Sequence, residues 1–436
     1  MASGERFDCV VVGAGPAGAT CALTLAKAGL SVVLLERGET PGSKNVMGGI
    51  LYSTILNKVI PDFWESAPVE RRIVNKRFSV LSDDSELHLG MRFEDFNKPP
   101  FNNTFTVLRG KFDAWYASKA EEAGAMLLNQ AVVDSVIVEN GKVVGVKTRL
   151  EDGDLLADTV VIAEGASSML AQRLGLLKRQ IPEHMVTCCK EVIGLSKETI
   201  EERFGLDGEE GSSLEYFGGS VKGLVGSAFI YTNKDSLSLG IGVSTRDLKR
   251  NKLTPNDLIE NFKEHPSIRK LIRGGKLLEY SAHMIPEFGY DHLPKLTMDG
   301  LIITGDAAGF VNMNPMYHEG SNLAMASGLA AAETIIEARK AGDFSDKALS
   351  GYRRRLDDSF VMKDLKRYRG ISDFAVRHPE FFKEYPELLI ELAQDFFTVS
   401  ETPKGKSRMA VVKKGLKRVN LLKLAIGMHR ARKVMF

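Results

Sequence analysis

Three glycines near the start of the chain have the spacing of a phosphate-binding turn. They are Gly13, Gly15 and Gly18, in a stretch that reads GAGPAG. In such a turn the first glycine permits the tight bend and the second lets a pyrophosphate approach the backbone. The third glycine lets the following helix pack closely on the preceding strand. A helix that begins there directs its free amide groups and partial positive charge at phosphates, so these residues predict dinucleotide binding.

The segments around this turn predict the elements that hold it. Residues 7–12 are a continuous apolar run, typical of a buried parallel strand, and Pro16 and Ala17 open a helix of small residues. Residues 30–35 predict a second buried strand, which ends at Glu36. In the dinucleotide-binding fingerprint an acid at that point accepts hydrogen bonds from the adenosine ribose. The alternative is a glycine turn in an unrelated α/β fold, and the motif alone does not separate FAD from NAD.

Three later segments bear on the choice between the two dinucleotides. Residues 107–115 (VLRGKFDAW) predict the start of a helix. Residues 158–166 (DTVVIAEGA) and 300–309 (GLIITGDAAG) each predict a buried strand followed by a turn. Taken singly, each segment could be only a strand or helix with an ordinary turn.

Together with the glycine turn, these segments resemble the FAD-dependent oxidoreductases that include aromatic hydroxylases, geranylgeranyl reductases and electron-transfer-flavoprotein:quinone oxidoreductases. The resemblance implies that Arg109 contacts the FAD pyrophosphate or ribose, and that Ala163 and Gly165 lie against the cofactor. It also implies that Asp306 accepts a hydrogen bond from the ribityl chain, a group that NAD lacks. Glu164 stands where many of these proteins have Asp.

Within that class the chain resembles the FixC proteins of the Fix and electron-bifurcating electron-transfer-flavoprotein complexes. The resemblance rests on residues 305–325, 229–240 and 283–295, and on the loop KNVMGG at 44–49. FixC proteins are similar to electron-transfer-flavoprotein:ubiquinone oxidoreductase without its iron–sulfur domain. The resemblance implies further cofactor contacts at Pro16, Ala17, Arg37, Lys44, Gly48, Gly49, Val133, Gly305, Gly320 and Asn322.

The partners that follow from this resemblance are electron-transfer-flavoprotein subunits of the alpha and beta types, a small ferredoxin-like protein of the FixX type, and a quinone. The chain has only one GxGxxG that follows a predicted strand, so we expect no dedicated nicotinamide domain. It has four cysteines without cluster spacing, so we expect one non-covalent FAD, no iron–sulfur cluster and no metal site in this chain.

Composition is that of an ordinary globular protein, with 44% hydrophobic and 26% charged residues. No apolar run reaches the roughly 18 residues of a spanning helix, and Asp8 interrupts any secretory signal, so we expect a cytoplasmic location. Residues 401–436 carry a net charge of +10, whereas the rest of the chain carries −8. No nucleic-acid motif accompanies this charge, so we expect no nucleic-acid partner.

A proton donor to the quinone is not identifiable from sequence. Tyr231, His283, Tyr317 and His318 are weak candidates, and each has the alternative of a hydrogen-bonded aromatic side chain in a pocket wall. A long helix predicted from Gly320 would place its N-terminus where negative charge on a reduced flavin is stabilised.

The predicted fold class is α/β with an α+β insert. A two-dinucleotide-type FAD-binding Rossmann domain would occupy residues 1–80, 105–180 and 295–345. A substrate (quinone) domain with an antiparallel sheet would occupy 81–104 and 181–294, since residues 228–243 alternate as antiparallel strands do. Residues 346–436 predict a helical C-terminal region with a basic tail.

The basic tail carries apolar residues at helical spacing. Leu416, Val419, Leu422 and Ile426 can share one face of a helix that basic residues surround. Such a helix can lie on an anionic membrane, dock an acidic partner or pack on the protein's own body. Because a quinone is lipid-soluble, the resemblance favours the inner face of the cell membrane.

Three functions remain open at this point. The first is a quinone-reducing FAD subunit of an electron-transfer-flavoprotein complex, including a complex that carries out electron bifurcation. The second is an autonomous FAD-dependent prenyl (geranylgeranyl-type) reductase or hydroxylase, and the third is a FAD-bearing scaffold without catalysis. The motifs favour the first, and a reaction with NADPH would indicate the second.

Overall fold

The computed structural model describes residues 6–43, 49–151, 153–178, 185–287, 289–314 and 317–435. Lys44 and Gly48 lie outside these residues. The strands are β1 (Arg6–Val12), β2 (Val32–Leu35), β3 (Ile50–Tyr52), β4 (Val69–Leu81), β5 (Glu86–Arg92), β6 (Thr104–Val107), β7 (Met126–Leu128), β8 (Val133–Glu139), β9 (Lys142–Thr148), β10 (Asp154–Ile162), β11 (Met185–Gly194), β12 (Glu210–Gly218), β13 (Gly226–Thr232), β14 (Ser236–Ser244), β15 (Lys276–Pro286), β16 (Thr297–Met298), β17 (Leu301–Ile303), β18 (Asn312–Asn314) and β19 (Tyr317–Glu319).

Helices follow the strands in the first half of the chain and dominate its last third. They are α1 (Pro16–Lys27), α2 (Thr54–Val59), α3 (Arg109–Glu122), α4 (Met169–Arg173), α5 (Lys197–Phe204), α6 (Thr245–Asn251), α7 (Pro255–Glu264), α8 (Pro266–Ile272), α9 (Ser321–Ala341), α10 (Asp346–Leu349), α11 (Gly351–Asp358), α12 (Phe360–Arg367), α13 (Ile371–Arg377), α14 (Glu384–Phe397), α15 (Lys404–Arg418) and α16 (Leu421–Met435).

Two compact units make up the chain. The first contains Met1–Arg71, Pro99–Met185 and His283–Lys366, and the second contains Arg72–Lys98, Val186–Ala282 and Arg367–Phe436. The C-terminal helices from residue 367 therefore group with the second unit, whereas the sequence suggested a separate region from 346. The physical reason is packing: α14 contacts β12, and Pro386 of α14 lies against Gly218 at the end of that strand.

The main sheet of the first unit has the strand order β16-β17-β10-β1-β2-β7. β1 pairs in parallel with both β2 and β10, and β10 pairs in parallel with β17. Val12 is in register with Ile162, which is in register with Ile303. The carboxyl ends of the three strands therefore lie side by side, and the turns after them meet at one edge of the sheet, where α/β proteins bind ligands.

Helices α1 and α9 pack against each other in the first unit through very small residues. A Cβ atom added at Gly328 of α9 would lie 2.2 Å from the backbone oxygen of Ala17 in α1. On another side of α1, the hydroxyl group of its Thr20 shares a hydrogen bond of 2.7 Å with the hydroxyl group of Tyr116 in α3. These contacts fix α1, and with it the glycine turn at its N-terminus.

In the sheet of the second unit β15 lies beside β11, the pairs β11–β14, β14–β13 and β13–β12 are antiparallel, and β12 then pairs in parallel with β4. The antiparallel strands predicted within residues 228–243 are confirmed as β13 and β14. One face of this sheet packs on helices α5 to α8 through a buried apolar cluster that includes Leu239, Ile241 and Phe262.

The basic tail does not form the single helix that its apolar spacing suggested. Helix α15 ends at Arg418, Val419 is extended, and α16 begins at Leu421. The Asn420 side chain accepts a hydrogen bond of 2.9 Å from the Lys423 amide, as an N-cap does. Leu416 and Val419 therefore do not share a helical face with Leu422 and Ile426, because a local cap outweighs the longer periodicity.

Acidic residues of the second unit partner part of this tail. Lys414 lies 2.7 Å from Glu391 and 2.5 Å from Asp395 of α14, and Arg418 also pairs with Glu391. The tail packs on its own unit in this way, while apolar side chains remain exposed on α15 and α16. Those exposed side chains include Met409, Val412, Leu416, Leu421, Leu422 and Met428.

Candidate functional site: a dinucleotide cavity

The glycine turn after β1 has the geometry that its sequence predicted. Gly13 has φ +105°, and a Cβ atom there would lie 2.3 Å from the Ala163 oxygen. A Cβ at Gly18 would lie 1.9 Å from the Gly13 oxygen, whereas one at Gly15 would meet nothing within 4 Å. Gly13 and Gly18 thus have no room for a side chain, and Gly15 faces open space at the start of α1.

Glu36, directly after β2, holds this turn through hydrogen bonds to backbone amides. Its carboxylate accepts hydrogen bonds from the Gly38 amide at 2.7 Å and from the Ala14 amide at 3.3 Å. The side chain is buried, at 9% exposure, yet it contributes to the wall of a cavity. The acid therefore fixes the turn as well as offering an acceptor to a ligand.

A cavity of about 350 Å³ opens at this edge of the first unit. Of the residues predicted to bind the cofactor or act in catalysis, those in its wall are Gly13, Gly15, Glu36, Arg37, Val133, Ala163, Gly165, Asp306 and His283. Its wall also contains charged side chains that the sequence reasoning did not select, namely Asp113, Asp134, Arg149, Glu164 and Arg173. Asp113 was findable, since it follows Arg109 by four residues on a predicted helix.

Arg109 and Asp113 form a buried ion pair on α3. The Arg109 Nε donates to Asp113 at 2.8 Å and a terminal nitrogen donates at 2.7 Å. Their side chains are 8% and 1% exposed. Burial raises the pKa of Asp306 to about 6, and the nearby Arg109 charge opposes that rise. Asp306 thus remains largely ionised at pH 7 and is available as a charged acceptor.

The remaining described residues of the predicted site are not among those in the wall of this cavity. Pro16 and Ala17 lie in the first turn of α1, and Gly305, with φ +64°, packs on Ala17. The Gly49 carbonyl accepts from the Val107 amide at 2.9 Å, which ties the loop to β6.

At the start of α9, Gly320 is the N-cap and its Cβ position is open. The Asn322 side chain donates to Glu319 at 2.7 Å. Its Oδ1 atom is buried without a hydrogen-bond partner among the described residues. An unsatisfied buried acceptor of this kind fits a donor on a bound ligand.

These features fit a dinucleotide with a flavin. The N-terminus of α1 carries no side-chain cap, so its first amide groups are available to phosphate oxygens. Gly15 and Gly165 in the cavity wall each leave the Cβ position empty, which makes room for a large ligand.

Comparison with known proteins decides which class of dinucleotide protein this is. Residues 7–204 match the family described as Pyridine nucleotide-disulphide oxidoreductase, and residues 371–436 match the ETF-QO/FixC family C-terminal domain. Protein FixC of Bradyrhizobium diazoefficiens is 45% identical over 416 residues, which is 95% of each chain. The chain belongs to the FixC family. It is a FAD-dependent oxidoreductase.

Further relatives of this FixC-family chain agree with that assignment. Protein FixC of Azotobacter vinelandii is 45% identical, covering 94% of each chain. The probable electron transfer flavoprotein-quinone oxidoreductase YdiS of Escherichia coli is 41% identical, covering 97% of this chain and 98% of its own. Among solved structures, a geranylgeranyl bacteriochlorophyll reductase-like protein from Thermoplasma acidophilum aligns with a TM-score of 0.69 at 21% identity, covering 95% of this chain and all of its own. That last similarity shows the shared fold.

The four candidate proton donors of this FixC-family chain do not form one cluster within either unit. His283, Tyr317 and His318 belong to the first unit, and Tyr231 belongs to the second. Burial lowers the pKa of His318 to about 4, so that its ring is neutral at pH 7 and unable to act as an acid. Burial, with the Arg109 and Arg37 charges, also lowers the pKa of His283.

The two tyrosines have different surroundings. Tyr317 is half-exposed and meets the ring of Tyr52 edge-on at 6.5 Å. Tyr231 is buried and donates a hydrogen bond of 2.8 Å to Glu215. Tyr231 is therefore bonded directly to a carboxyl group.

The described residues contain no candidate for a membrane span or a metal centre. None of their helices combines the length and apolar character that crossing a membrane requires. No group of three or more His, Cys, Asp or Glu side chains in the described part of the chain is arranged to hold a metal ion. The four cysteines are all buried and unlinked.

Proposed function

We propose that this FixC-family protein takes electrons from an electron-transfer flavoprotein and passes them through FAD to a membrane quinone. The observation that carries the proposal is 41% identity, over nearly the whole of both chains, to a relative named as a probable electron transfer flavoprotein-quinone oxidoreductase. That name contains both a donor and an acceptor. The presence of a dinucleotide cavity in the first unit supports a carrier that works by alternate reduction and oxidation.

One FAD, held without a covalent bond, would occupy the cavity. The first amide groups of α1 would bind the pyrophosphate, with Gly15 leaving space for its approach. Glu36 would accept from the adenosine ribose, and Asp306 would accept from the ribityl chain. FAD, when bound, supplies a carrier of two electrons. Everything else in this step, namely orientation and electrostatics, comes from the protein.

The N-terminus of α9 would tune that carrier. Helix α9 spans 21 residues and has Gly320 as its N-cap, without a side-chain cap. Its partial positive charge favours a negatively charged partner at that end. A helix end placed beside the reduced ring system would stabilise its negative charge, and Asn322 Oδ1 would accept a hydrogen bond there.

Electron-transfer-flavoprotein subunits of the alpha and beta types would supply the electrons, with electron bifurcation as a possible mode of that complex. A small ferredoxin-like protein of the FixX type would supply an iron–sulfur cluster. In support, the chain has four cysteines, and all are buried. Burial raises the pKa of Cys21 and Cys189, which disfavours the thiolate that metal binding needs.

The surface of α15 and α16 would bring the protein to the inner face of the membrane. Met409, Val412 and Leu416 follow one another at helical spacing on α15 and are each more than half exposed. Lysine and arginine side chains flank them. Each basic residue near an anionic surface contributes about 1 kcal/mol. We propose peripheral attachment through this surface.

A two-step electron-transfer assay tests the proposal. Purified FAD-loaded protein is mixed with a reduced electron-transfer flavoprotein, and bleaching of the FAD is followed by absorbance. A short-chain quinone is then added, and the flavin colour should return. Bleaching of the FAD by NADPH without the electron-transfer flavoprotein would refute the proposal. A reduced FAD that quinone does not reoxidise would also refute it. The first of these results would favour the autonomous reductase.

A further inference from the structure

A second cavity, of about 300 Å³, lies wholly within the second unit. Its wall is formed by β4, β5 and β12 and by the end of helix α5. The basic residues in this wall are Lys76, Arg77, Arg92 and Arg203, and no aspartate or glutamate of the described chain is in it. A cavity wall with basic residues and no acid favours a negatively charged ligand.

The strand register places two of these arginines on the face of the sheet that the helices cover. Arg77 donates through Nη2 to the hydroxyl group of Tyr216 at 2.8 Å, and Tyr216 belongs to the apolar cluster on that face. Asn75 precedes Arg77 by two positions, and Arg92 is opposite Asn75 on β5, so their side chains leave the sheet on the same face. Lys76 lies between these positions and leaves the sheet on the other face. The cavity therefore lies between the helix-covered face and α5.

The arginines of the sheet differ in how far acids neutralise them. Arg92 lies 2.6 Å from Glu210 and also pairs with Glu94, so its charge is compensated. The carboxylate nearest to Arg77 is that of Glu86, at 3.7 Å, which is too far for a hydrogen bond. Arg77 is therefore the less compensated of the two.

Arg203, in the last turn of α5, has neutral partners. Its two terminal nitrogens donate to the carbonyl oxygens of Leu271 and Arg273 at the end of α8, each at 2.8 Å. These bonds hold the guanidinium in place without neutralising it, and no carboxylate of the described residues pairs with it. A guanidinium held in this way offers planar donors that match the oxygens of a phosphate group.

Two buried atoms of this wall have no hydrogen-bond partner among the described residues. They are Nε of Arg77, which is a donor, and Oδ1 of Asn75, which is an acceptor. The two residues leave the strand about 7 Å apart, since they are two positions from each other. An anion with both acceptor oxygens and an O–H group would satisfy both atoms. A phosphate monoester carries that proton on about half of its molecules at pH 6, whereas sulfate carries none.

Apolar groups and an open glycine complete the wall. Phe204 of α5 and Leu214 of β12 are in the wall, and both belong to the apolar packing under the helices. Gly90 of β5 is opposite Arg77, and a Cβ atom there would meet nothing within 4 Å. Small-molecule sites have volumes of roughly 300–1,000 Å³, so this cavity has room for a small organic group beside a phosphate.

We propose that this cavity is a second ligand site, which binds a small organic phosphate monoester. Arg203 and Arg77 would donate to the phosphate oxygens, and Asn75 would accept from the protonated oxygen. The organic group would lie against Phe204 and Leu214. The proposal is independent of the electron donor and acceptor of the FAD, because every residue that carries it belongs to the second unit.

Isothermal titration calorimetry of the full chain tests this site. The chain is loaded with FAD, so that the phosphate probes do not bind at the N-terminus of α1, and is titrated at pH 6 with phenyl phosphate, inorganic phosphate and sulfate. We expect phenyl phosphate to bind at one site per chain and more tightly than inorganic phosphate, because it also reaches the apolar wall. Sulfate should bind at least about tenfold more weakly than phosphate, because it has no proton for Asn75.

Two variants change the cavity in different ways. Gly90→Val places a branched side chain in the cavity, removes no charge and suits a strand. Arg203→Gln removes the guanidinium that no acid compensates. Each should weaken binding of phenyl phosphate at least about tenfold, and Arg203→Lys should restore part of it, since a charge returns without the planar donors.

Arg246→Gln is the matched control. Arg246 is an arginine of the second unit that pairs with Asp247 at 3.1 Å and is 29% exposed, but it is not in the wall of this cavity. Its substitution should leave the binding of phenyl phosphate unchanged. Circular dichroism establishes that each variant is folded, and if Gly90→Val does not fold, Arg203→Gln decides.

Three results would overturn the proposal in whole or in part. An absence of saturable heat with phenyl phosphate, or binding that the folded cavity variants leave unchanged, would overturn the site. Sulfate that binds as tightly as phosphate would overturn the role of Asn75. Inorganic phosphate that binds as tightly as phenyl phosphate would overturn the assignment of an organic ligand.

Discussion

Replacing Asp113 with alanine should destabilise the first unit strongly. Asp113 makes two hydrogen bonds to Arg109, and both side chains are buried, at 1% and 8% exposure. The substitution leaves the Arg109 charge in the interior without this partner. Removing one member of a buried pair costs about 3–5 kcal/mol, since the remaining charge has lost its hydrogen-bonded partner.

This free energy translates into a measurable shift in melting temperature. The first unit is in the size range for which 1 kcal/mol changes Tm by about 2–4 °C, so a loss of 3 kcal/mol lowers Tm by about 6–12 °C. The assay is thermal unfolding followed by flavin fluorescence and by circular dichroism, with and without added FAD. Glu122→Ala is the control, because Glu122 lies on the same helix in a 2.7 Å ion pair with Lys119 but is 59% exposed. An exposed pair of this kind contributes at most about 1 kcal/mol.

A double substitution separates the charge from the packing. Arg109→Met with Asp113→Leu removes both charges and keeps much of the apolar volume, so Tm should recover much of its loss. If Asp113→Ala melts within about 2 °C of wild type, or no more than Glu122→Ala does, the buried-charge reasoning is refuted.

Three other predictions follow from the site and the tail. Asp306→Ala should weaken FAD binding by about ten- to a hundredfold, because a charge-assisted hydrogen bond contributes about 1.5–3 kcal/mol; full FAD retention by the folded variant in equilibrium dialysis contradicts this placement. Metal analysis of the purified chain should find no iron, and NADH alone should not bleach its flavin; about four irons per chain, or rapid bleaching, would show the partner assignment to be wrong. Deleting residues 404–436 should leave FAD bound and abolish flotation with anionic vesicles, while flotation of the intact chain should weaken as salt rises. Unchanged flotation of the truncated chain would exclude the tail as the anchor, and a truncated chain that does not fold would assign the tail a packing role.

The cofactor cavity was the most predictable part of this molecule. Its elements are local: an apolar strand, a glycine turn and a small-residue helix follow one another within residues 6–27. The other two turns could be placed because each comes directly after a buried strand, and parallel strands bring their carboxyl ends together. Asp113 was not selected, although its partner Arg109 was, because the resemblance directed attention to residues that touch a cofactor.

The unpredicted features depend on contacts between distant segments. In the sequence Glu215 is one of two acids in the segment that forms β12, and nothing near it indicates a pKa of about 8. The raised pKa arises from burial, which outweighs the opposing hydrogen bond from Tyr231 that the strand register brings beside Glu215. In the tail, by contrast, the deciding feature is local. Asn420 caps a new helix and so interrupts the apolar periodicity, and an asparagine is a cap that the sequence itself displays.

The contact of α1 with α9 constrains how this family can vary over evolution. At Gly328 the obstacle to a side chain is the backbone oxygen of Ala17, 2.2 Å from the Cβ position. A second mutation elsewhere cannot remove a backbone atom, so we expect glycine at 328 to be kept even in distant homologues that preserve the spacing of these helices. At Gly305 the nearest obstacle is instead the Ala17 methyl group, 2.9 Å away. A glycine at 17 would relieve that clash, so the two positions should vary together wherever the positive φ at 305 is also tolerated.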